Sequence, residues 1–111
     1  MTIVSEKNVS DALSYLAIDP HPLALARKDV TDAENEVKFA HANALLNSDA
    51  KSSDLRRAEA DADVSVEDLR THEAAAILEL ERHKARVKAA EMLIEVWRTE
   101  NANIRAAERV R

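Results

Sequence analysis

Arg82-His83-Lys84-Ala85-Arg86-Val87-Lys88 places four cations within seven residues, and Arg98, Arg105, Arg109 and Arg111 continue the basic character to the end of the chain. Cations at this density suit phosphates or an acidic protein surface. On a helix, Arg82 with Arg86 and Lys84 with Lys88 are like-charge pairs at i, i+4, which weaken the helix unless negative charge lies opposite. That charge can come from an acidic face of the same chain, from a partner chain or from a phosphate backbone. Ion pairing within and between chains, with cations well placed near a helix C-terminus, is the competing account of the same residues. Trp97, next to Arg98, is of a type that stacks on a base or anchors a protein interface.

The remaining reactive residue types form weaker patterns. Asp61-Ala62-Asp63-Val64-Ser65-Val66-Glu67-Asp68 alternates oxygen ligands as a calcium loop does, yet lacks that loop's central glycine and its closing glutamate, and reads as an acidic linker and helix start. His72 and His83, with Glu73 and Glu79, are zinc-ligand types, but no two histidines stand three or four apart. No metal site and no cofactor are expected. Cysteine is absent, which removes thiolate chemistry, disulfides and cysteine-based zinc sites. A serine or threonine nucleophile would need a histidine and an acid in a concave pocket, which helices lined with Ala, Leu and Val do not supply. No catalytic residue is expected, and a non-enzymatic protein is. Asp29, Asp32, Glu34 and Glu36 form a solvated acidic face, or alternatively an array that imitates DNA phosphates and occupies a nucleic-acid enzyme.

The scaffold for these residues is predicted to be all-α. In 111 residues Gly is absent, Pro occurs twice and aromatics make up 3%, a composition of long helices or coiled coils. The net charge of −5 divides unevenly: residues 1–80 hold 16 acidic and 8 basic side chains, residues 81–111 hold 5 and 8. The longest apolar runs are far shorter than the roughly 18 residues a membrane span needs, and the N-terminus lacks a signal peptide's basic start and apolar core. No membrane role is expected, and the cytoplasm of a bacterial host cell fits.

Residues 1–7 lack periodicity and are predicted to be a loose arm. A short helix is predicted over 10–17, with Val9, Leu13, Leu16 and Tyr15 apolar at helical spacing, ending at the stiff corner Asp19-Pro20-His21-Pro22. Pro22 suits the first position of a long helix over 22–48. There Leu23, Ala26, Val30, Ala33, Val37, Ala40 and Ala44 alternate steps of three and four, the heptad pattern of helix-on-helix packing. Leu25, Phe39, Leu45 and Leu46 broaden this seam towards a second contact face. The polar cluster at 47–53 ends the helix. A short helix is predicted over 54–62, capped by Ser53 with Leu55 and Ala58 inward, and a last helix over 66–111, capped by Ser65. Its heptad core is Val66, Leu69, Ala76, Leu80, Val87, Ala90, Ile94, Trp97 and Ile104, with His83 and Asn101 as polar residues that fix register.

At ~1.5 Å per residue the last helix reaches about 65 Å, more than the second helix can cover. It is also apolar on two faces, since Leu78, Ala85, Ala89, Met92 and Val96 make a second stripe, and an exposed stripe of that size marks a partner. The expected architecture is an elongated antiparallel helical hairpin or coiled coil with a very long C-terminal helix and short extra helices, assembled as a homodimer. Its expected interface is Leu78, Leu80, Ala85, Val87, Ala89, Met92, Ile94, Val96 and Trp97. The alternative is a monomeric bundle in which the two short helices cover the second stripe.

Ser10-Asp11-Ala12-Leu13-Ser14-Tyr15-Leu16 with Asp19-Pro20-His21-Pro22, and Ala90-Glu91-Met92-Leu93-Ile94-Glu95-Val96-Trp97-Arg98-Thr99-Glu100, resemble small helical proteins of tailed bacteriophages and prophages. The resemblance implies a place among early genes for recombination and host takeover. Two binding roles follow from it. One is an accessory that binds nucleic acid or a nucleic-acid-processing protein through Arg82, Lys84, Arg86, Lys88, Arg98, Arg105 and Arg109. The other is a DNA-mimic inhibitor of a host nuclease or defence complex, or an assembly adaptor, acting through the acidic face of the second helix.

Overall fold

The computed structural model describes residues 3–110, and all regular structure among them is helical. Four helices follow one another: α1 (Glu6–Leu16), α2 (Pro22–Asn47), α3 (Ser53–Ala62) and α4 (Val64–Val110). The all-α class and the very long final helix are as the sequence predicts; α4 runs unbroken for 47 residues. No helix among the described residues is long and apolar enough to cross a membrane.

Capping residues set the helix boundaries and account for the small departures from the expected ones. Ser5 is the N-cap of α1, accepting from the Asn8 backbone N–H at 3.1 Å, so the helix begins at Glu6 and takes in the end of the expected loose arm. His21 occupies the same position ahead of α2: its Nδ1 accepts from the Leu23 N–H at 3.0 Å, and Pro22 follows as the first helical residue, where it lacks only an N–H that has no helical partner. Ser52 caps α3 in place of Ser53, through the Leu55 N–H at 3.1 Å.

Asp63 caps α4 in place of Ser65. Its Oδ1 accepts from the Ser65 N–H at 2.8 Å and the Val66 N–H at 3.4 Å, while its own N–H closes α3 on the Ala60 carbonyl at 3.3 Å. One residue therefore ends one helix and starts the next, which a search for helix starts alone does not find. Asp63→Ala is expected to destabilise the α3–α4 junction by about 1 kcal/mol. Urea denaturation should show the loss, and an unchanged midpoint would mean the junction holds without the cap.

The chain divides into two compact units, Ala24–Glu81 and the pair of segments Met1–Leu23 with Arg82–Arg111. In the first, Ala26, Val30 and Ala33 of α2, Ala60 of α3 and Val66 of α4 are buried. The α2 seam is thus the one its heptad spacing indicates. Its buried side chains are Ala and Val, which let helix backbones approach closely and leave a thin core. The early part of α2, Ala26 to Glu36, lies beside His72 to Glu79, and its end, Ala40 to Asn47, lies beside Asp63 and Ser65, so α2 and this part of α4 are antiparallel. The inward faces of α3 differ from expectation: Leu55 is 59% exposed and Ala58 is exposed, while Ala60 is buried. Of the residues that broaden the α2 seam, Leu25 is exposed and Phe39 and Leu46 strongly so, while Leu45 is half-buried.

In the second unit α1 lies on the later part of α4. Ala12, Tyr15 and Ala90 form its buried centre, with Leu16, Val87, Leu93 and Ile94 packed around them. Leu13, expected inward, is 53% exposed, and Val9 and Ala12 take the inner positions together with Tyr15. Nearer the N-terminus the Ile3 N–H donates to Glu100 Oε1 at 2.8 Å, so α1 and this part of α4 are also antiparallel. Ile104, an expected core residue, is 42% exposed.

Candidate functional site

At 3.6 residues per turn, the heptad core positions of α4 are Val66, Leu69, Glu73, Ala76, Leu80, His83, Val87, Ala90, Ile94, Trp97 and Asn101. Every one is buried or half-buried. The expected polar register residues His83 and Asn101 lie on this line, and Glu73 joins them.

The basic residues divide between two sides of the helix instead of forming one strip. Lys84, Lys88, Arg98, Arg105 and Arg109 share one flank, where Glu91 and Glu95 interrupt them; Arg82 and Arg86 lie on the other. Arg82 and Lys84, like Glu79 and Glu81, are engaged in polar interactions. Arg98 Nη1 donates to Glu95 Oε1 at 3.1 Å, and Arg105 Nε donates to the Asn101 carbonyl at 3.4 Å. Arg109 stands exposed in the last turn, where a cation is favoured by the helix dipole. Arg111 lies outside the described residues.

Arg86 has a separate role. Its guanidinium carbon sits 4.0 Å from the centre of the Tyr15 ring, a cation–π contact, and the Tyr15 ring meets the His21 ring edge-on at 4.9 Å and 74°. This cluster ties the Pro-flanked corner and α1 to α4. Among the described residues neither the Tyr15 hydroxyl nor His21 Nε2 has a hydrogen-bond partner, although both atoms are buried. Because His21 Nδ1 is an acceptor, the neutral ring carries its proton on Nε2. The basic-run reading gave Arg86 to a ligand; its partner 71 positions away in sequence has no local signal. The histidine between two prolines at a helix start was a visible one.

The nine residues of the expected dimer interface separate in the same way. Val87 and Ile94 pack within the chain on the α1 cluster, and Leu80 and Trp97 are half-buried. Leu78, Ala85, Ala89, Met92 and Val96 are exposed, Met92 by 59%.

Past the α1 contact, Trp97, Arg98, Asn101, Ile104, Arg105 and Glu108 line an open groove of ≈ 410 Å³ on one face of α4. It brings an indole, two guanidinium groups, a side-chain amide and the Glu108 carboxylate within one patch of the helix.

The unit Ala24–Glu81 presents the opposite electrostatics. Asp29, Asp32, Glu36, His72 and Glu79 surround an open groove with an apolar floor of Ala26, Ala33, Ala75 and Ala76. Lys28 Nζ binds Asp32 Oδ2 at 2.7 Å, an exposed pair that raises the Lys28 pKa through the hydrogen bond and then through the charge of Asp32. Nearby in sequence to the acidic linker, Asp61 Oδ1 accepts from Arg70 Nη2 and faces His41 Nε2, each at 3.1 Å. The Arg70 hydrogen bond, followed by that of His41, holds the Asp61 carboxyl below its usual 3.8. A lowered carboxyl pKa adds stability that is fully present above 3.8 and is lost as pH falls through the lowered value. The group is solvent-exposed, so the effect is small. Asp61→Asn is expected to cost a little stability at neutral pH, where the ionised carboxylate holds Arg70, and nothing in acid, so that the acid limb of a melting-temperature profile flattens slightly; an unchanged melting temperature at neutral pH would show that the Arg70 contact adds no stability. Asp61 and Asp63, two of the oxygen ligands in the calcium-loop pattern, are thus committed to a cation and a helix cap. Among the described residues, no three His, Asp or Glu side chains gather into a metal-holding group.

The charge of the chain is segregated by unit. Residues 24–81 carry 14 acidic and 7 basic side chains, and residues 1–23 with 82–111 carry 7 and 9. No protein-family model matches the chain, and neither a curated protein nor a solved structure is significantly similar to it.

Proposed function

We propose that this chain is a non-catalytic accessory protein of a phage or prophage that binds nucleic acid through the C-terminal part of α4, in the service of recombination or host takeover. The observation that carries the reading is the groove in which Trp97 stands beside Arg98, Asn101 and Arg105. An aromatic face accepts a stacked base of any identity, guanidinium groups hold the adjoining phosphates, and an amide can pair with a base edge. Bases are available for stacking only when they are unpaired, so the groove suits single-stranded nucleic acid in preference to a closed duplex. The acidic balance of Ala24–Glu81 does not oppose this over more than a Debye length, about 8–10 Å at working salt.

The test is fluorescence anisotropy of a labelled oligonucleotide titrated with the full chain at several salt concentrations. The expected result is binding whose log K falls linearly with log[salt], with a slope of about −0.7 per phosphate contacted on a single strand. Binding without that dependence, or none at micromolar protein, would overturn the reading.

A second reading rests on the acidic groove of Asp29, Asp32, Glu36 and Glu79. Carboxylates held on two packed helices present the charge of a phosphate backbone to a nucleic-acid enzyme, as a DNA mimic does. A tagged pull-down from bacterial lysate, split into nuclease-treated and untreated halves, separates the two. Nucleic acid lost on nuclease treatment favours the Trp97 groove; one host nuclease or defence protein retained after treatment favours the acidic face.

A further inference from the structure

On the side of α4 away from its buried seam, Ala85, Ala89, Met92 and Val96 recur in steps of four, three and four, which is itself a heptad seam. All four are exposed, Met92 by 59% and Val96 by 40%, and α1 packs on other faces of the helix, against Val87, Ala90, Leu93 and Ile94. A seam needs a facing helix with matching periodicity. We propose that its occupant is the same seam of a second copy, run antiparallel about a two-fold axis level with the step from Ala90 to Glu91.

Shape and charge both select that arrangement. With the axis there, Ala89 faces the partner's Met92 and Ala85 faces the partner's Val96, so each layer pairs a small side chain with a large one and the layers have similar width. An open groove lined by Asn8, Asp11, Arg86, Ala89 and Leu93 adjoins Ala89, and an unbranched thioether fills an irregular gap of this kind. On the flank of the seam the same register sets Lys88 against the partner's Glu95, and the symmetry repeats the pair. Glu95 gives Oε1 to Arg98 within its own chain, and the carboxylate has a second oxygen for the incoming ammonium. A parallel, in-register pair would instead stack Ala85 on Ala85 and Met92 on Met92, leaving one layer open and the other crowded. The surface is separate from the Trp97 groove, so either proposal can fail without the other.

The chain has no cysteine, which makes introduced thiols unambiguous reporters. Ala85→Cys and Val96→Cys variants are purified separately as full chains, mixed and mildly oxidised. A disulfide-linked species of twice the chain mass should form on mixing and not from either variant alone. Met92→Glu should give a monomer mass by light scattering with its helix content unchanged, because the side chain is solvent-exposed within one chain. Lys88→Glu should weaken association about tenfold, and adding Glu95→Lys should restore it. A monomer mass for the unaltered chain at micromolar concentration, self-linking of Ala85→Cys, or a dimer that survives Met92→Glu would each overturn the proposal.

Discussion

Tyr15→Ala is expected to destabilise the unit formed by α1 and the later part of α4 by about 3 kcal/mol or more, whereas Tyr15→Phe is expected to leave it unchanged or slightly more stable. The asymmetry comes from how the side chain is held. Tyr15 is 7% exposed and is the largest member of a cluster otherwise made of Ala12 and Ala90 with partly buried aliphatic neighbours. Removing the ring therefore opens a cavity that the small residues around it cannot fill. It also removes the face on which Arg86 rests, a contact of about 0.5–1 kcal/mol, and the edge contact with His21, the residue that caps α2. The hydroxyl contributes nothing comparable, since it is buried without a partner, and phenylalanine keeps both ring contacts while discarding that unsatisfied group.

Because the chain comprises two units, a single melting transition is the wrong observable for this pair of variants. Amide hydrogen exchange resolves them. In Tyr15→Ala the amides of α1 should lose protection while those of α2 from Val30 onward keep theirs; in Tyr15→Phe both should hold. Equal damage from the two substitutions would mean that the hydroxyl is engaged after all, and undiminished protection of α1 in Tyr15→Ala would show that Tyr15 is not what anchors it.

The contrast between what was and was not legible in the sequence follows the range of the interactions involved. The buried line of α2 through Ala26, Val30 and Ala33, and that of α4 through Val66 and Ala90, could be read from heptad spacing, because periodicity is a local property of the chain. The end of α2 near Asn47 was legible for the same reason. The starts of α3 and α4 were displaced by one and two residues because two capping types stood close together at each: Ser52 and Ser53, or Asp63 and Ser65. Which of them caps is decided by backbone geometry at that residue, and Asp63 wins by serving α3 and α4 together. In α1, Leu13 outranks Ala12 on hydrophobicity, yet Ala12 is the residue that packs with Tyr15 and Ala90 in the buried cluster.

The candidate site was legible as a list of residue types and not as an arrangement. The seven cations read as one strip in sequence are sorted by helical phase onto two flanks, and Arg86 is taken up by a ring whose position depends on the Pro-flanked corner. The acidic interruptions at Glu91 and Glu95 are visible in the sequence, but their effect on the strip appears only once the helical phase of α4 is fixed. Conversely, the pairing of Trp97 with Arg98 was visible because the two are adjacent, while the contribution of Asn101 and Arg105 to the same groove depends on helix α4 remaining continuous beyond the cover of α1.

Trp97→Ala should weaken binding of single-stranded nucleic acid by roughly five- to 150-fold, the range of ~1–3 kcal/mol that a stacked base provides. The loss should be nearly independent of salt, because stacking displaces no counterions. Arg105→Gln should behave oppositely, reducing the magnitude of the salt slope by about 0.7 while weakening binding less at high salt than at low. Arg98→Gln should resemble Arg105→Gln with a smaller amplitude, since its charge is already compensated by Glu95 at 3.1 Å, whereas Arg105 among the described residues is held through Nε to a backbone carbonyl, which would leave its terminal nitrogens able to reach a phosphate. Arg86→Gln is the internal control: with its guanidinium seated on Tyr15, it should change α1 stability more than it changes the salt slope. Measuring anisotropy isotherms for the four variants over a salt series distinguishes a built stacking site from diffuse attraction. If the Trp97 variant and the arginine variants all shifted the salt slope equally, or if Trp97→Ala bound as tightly as the unaltered chain, the groove would have no role in recognition and the nucleic-acid reading would lose its physical basis.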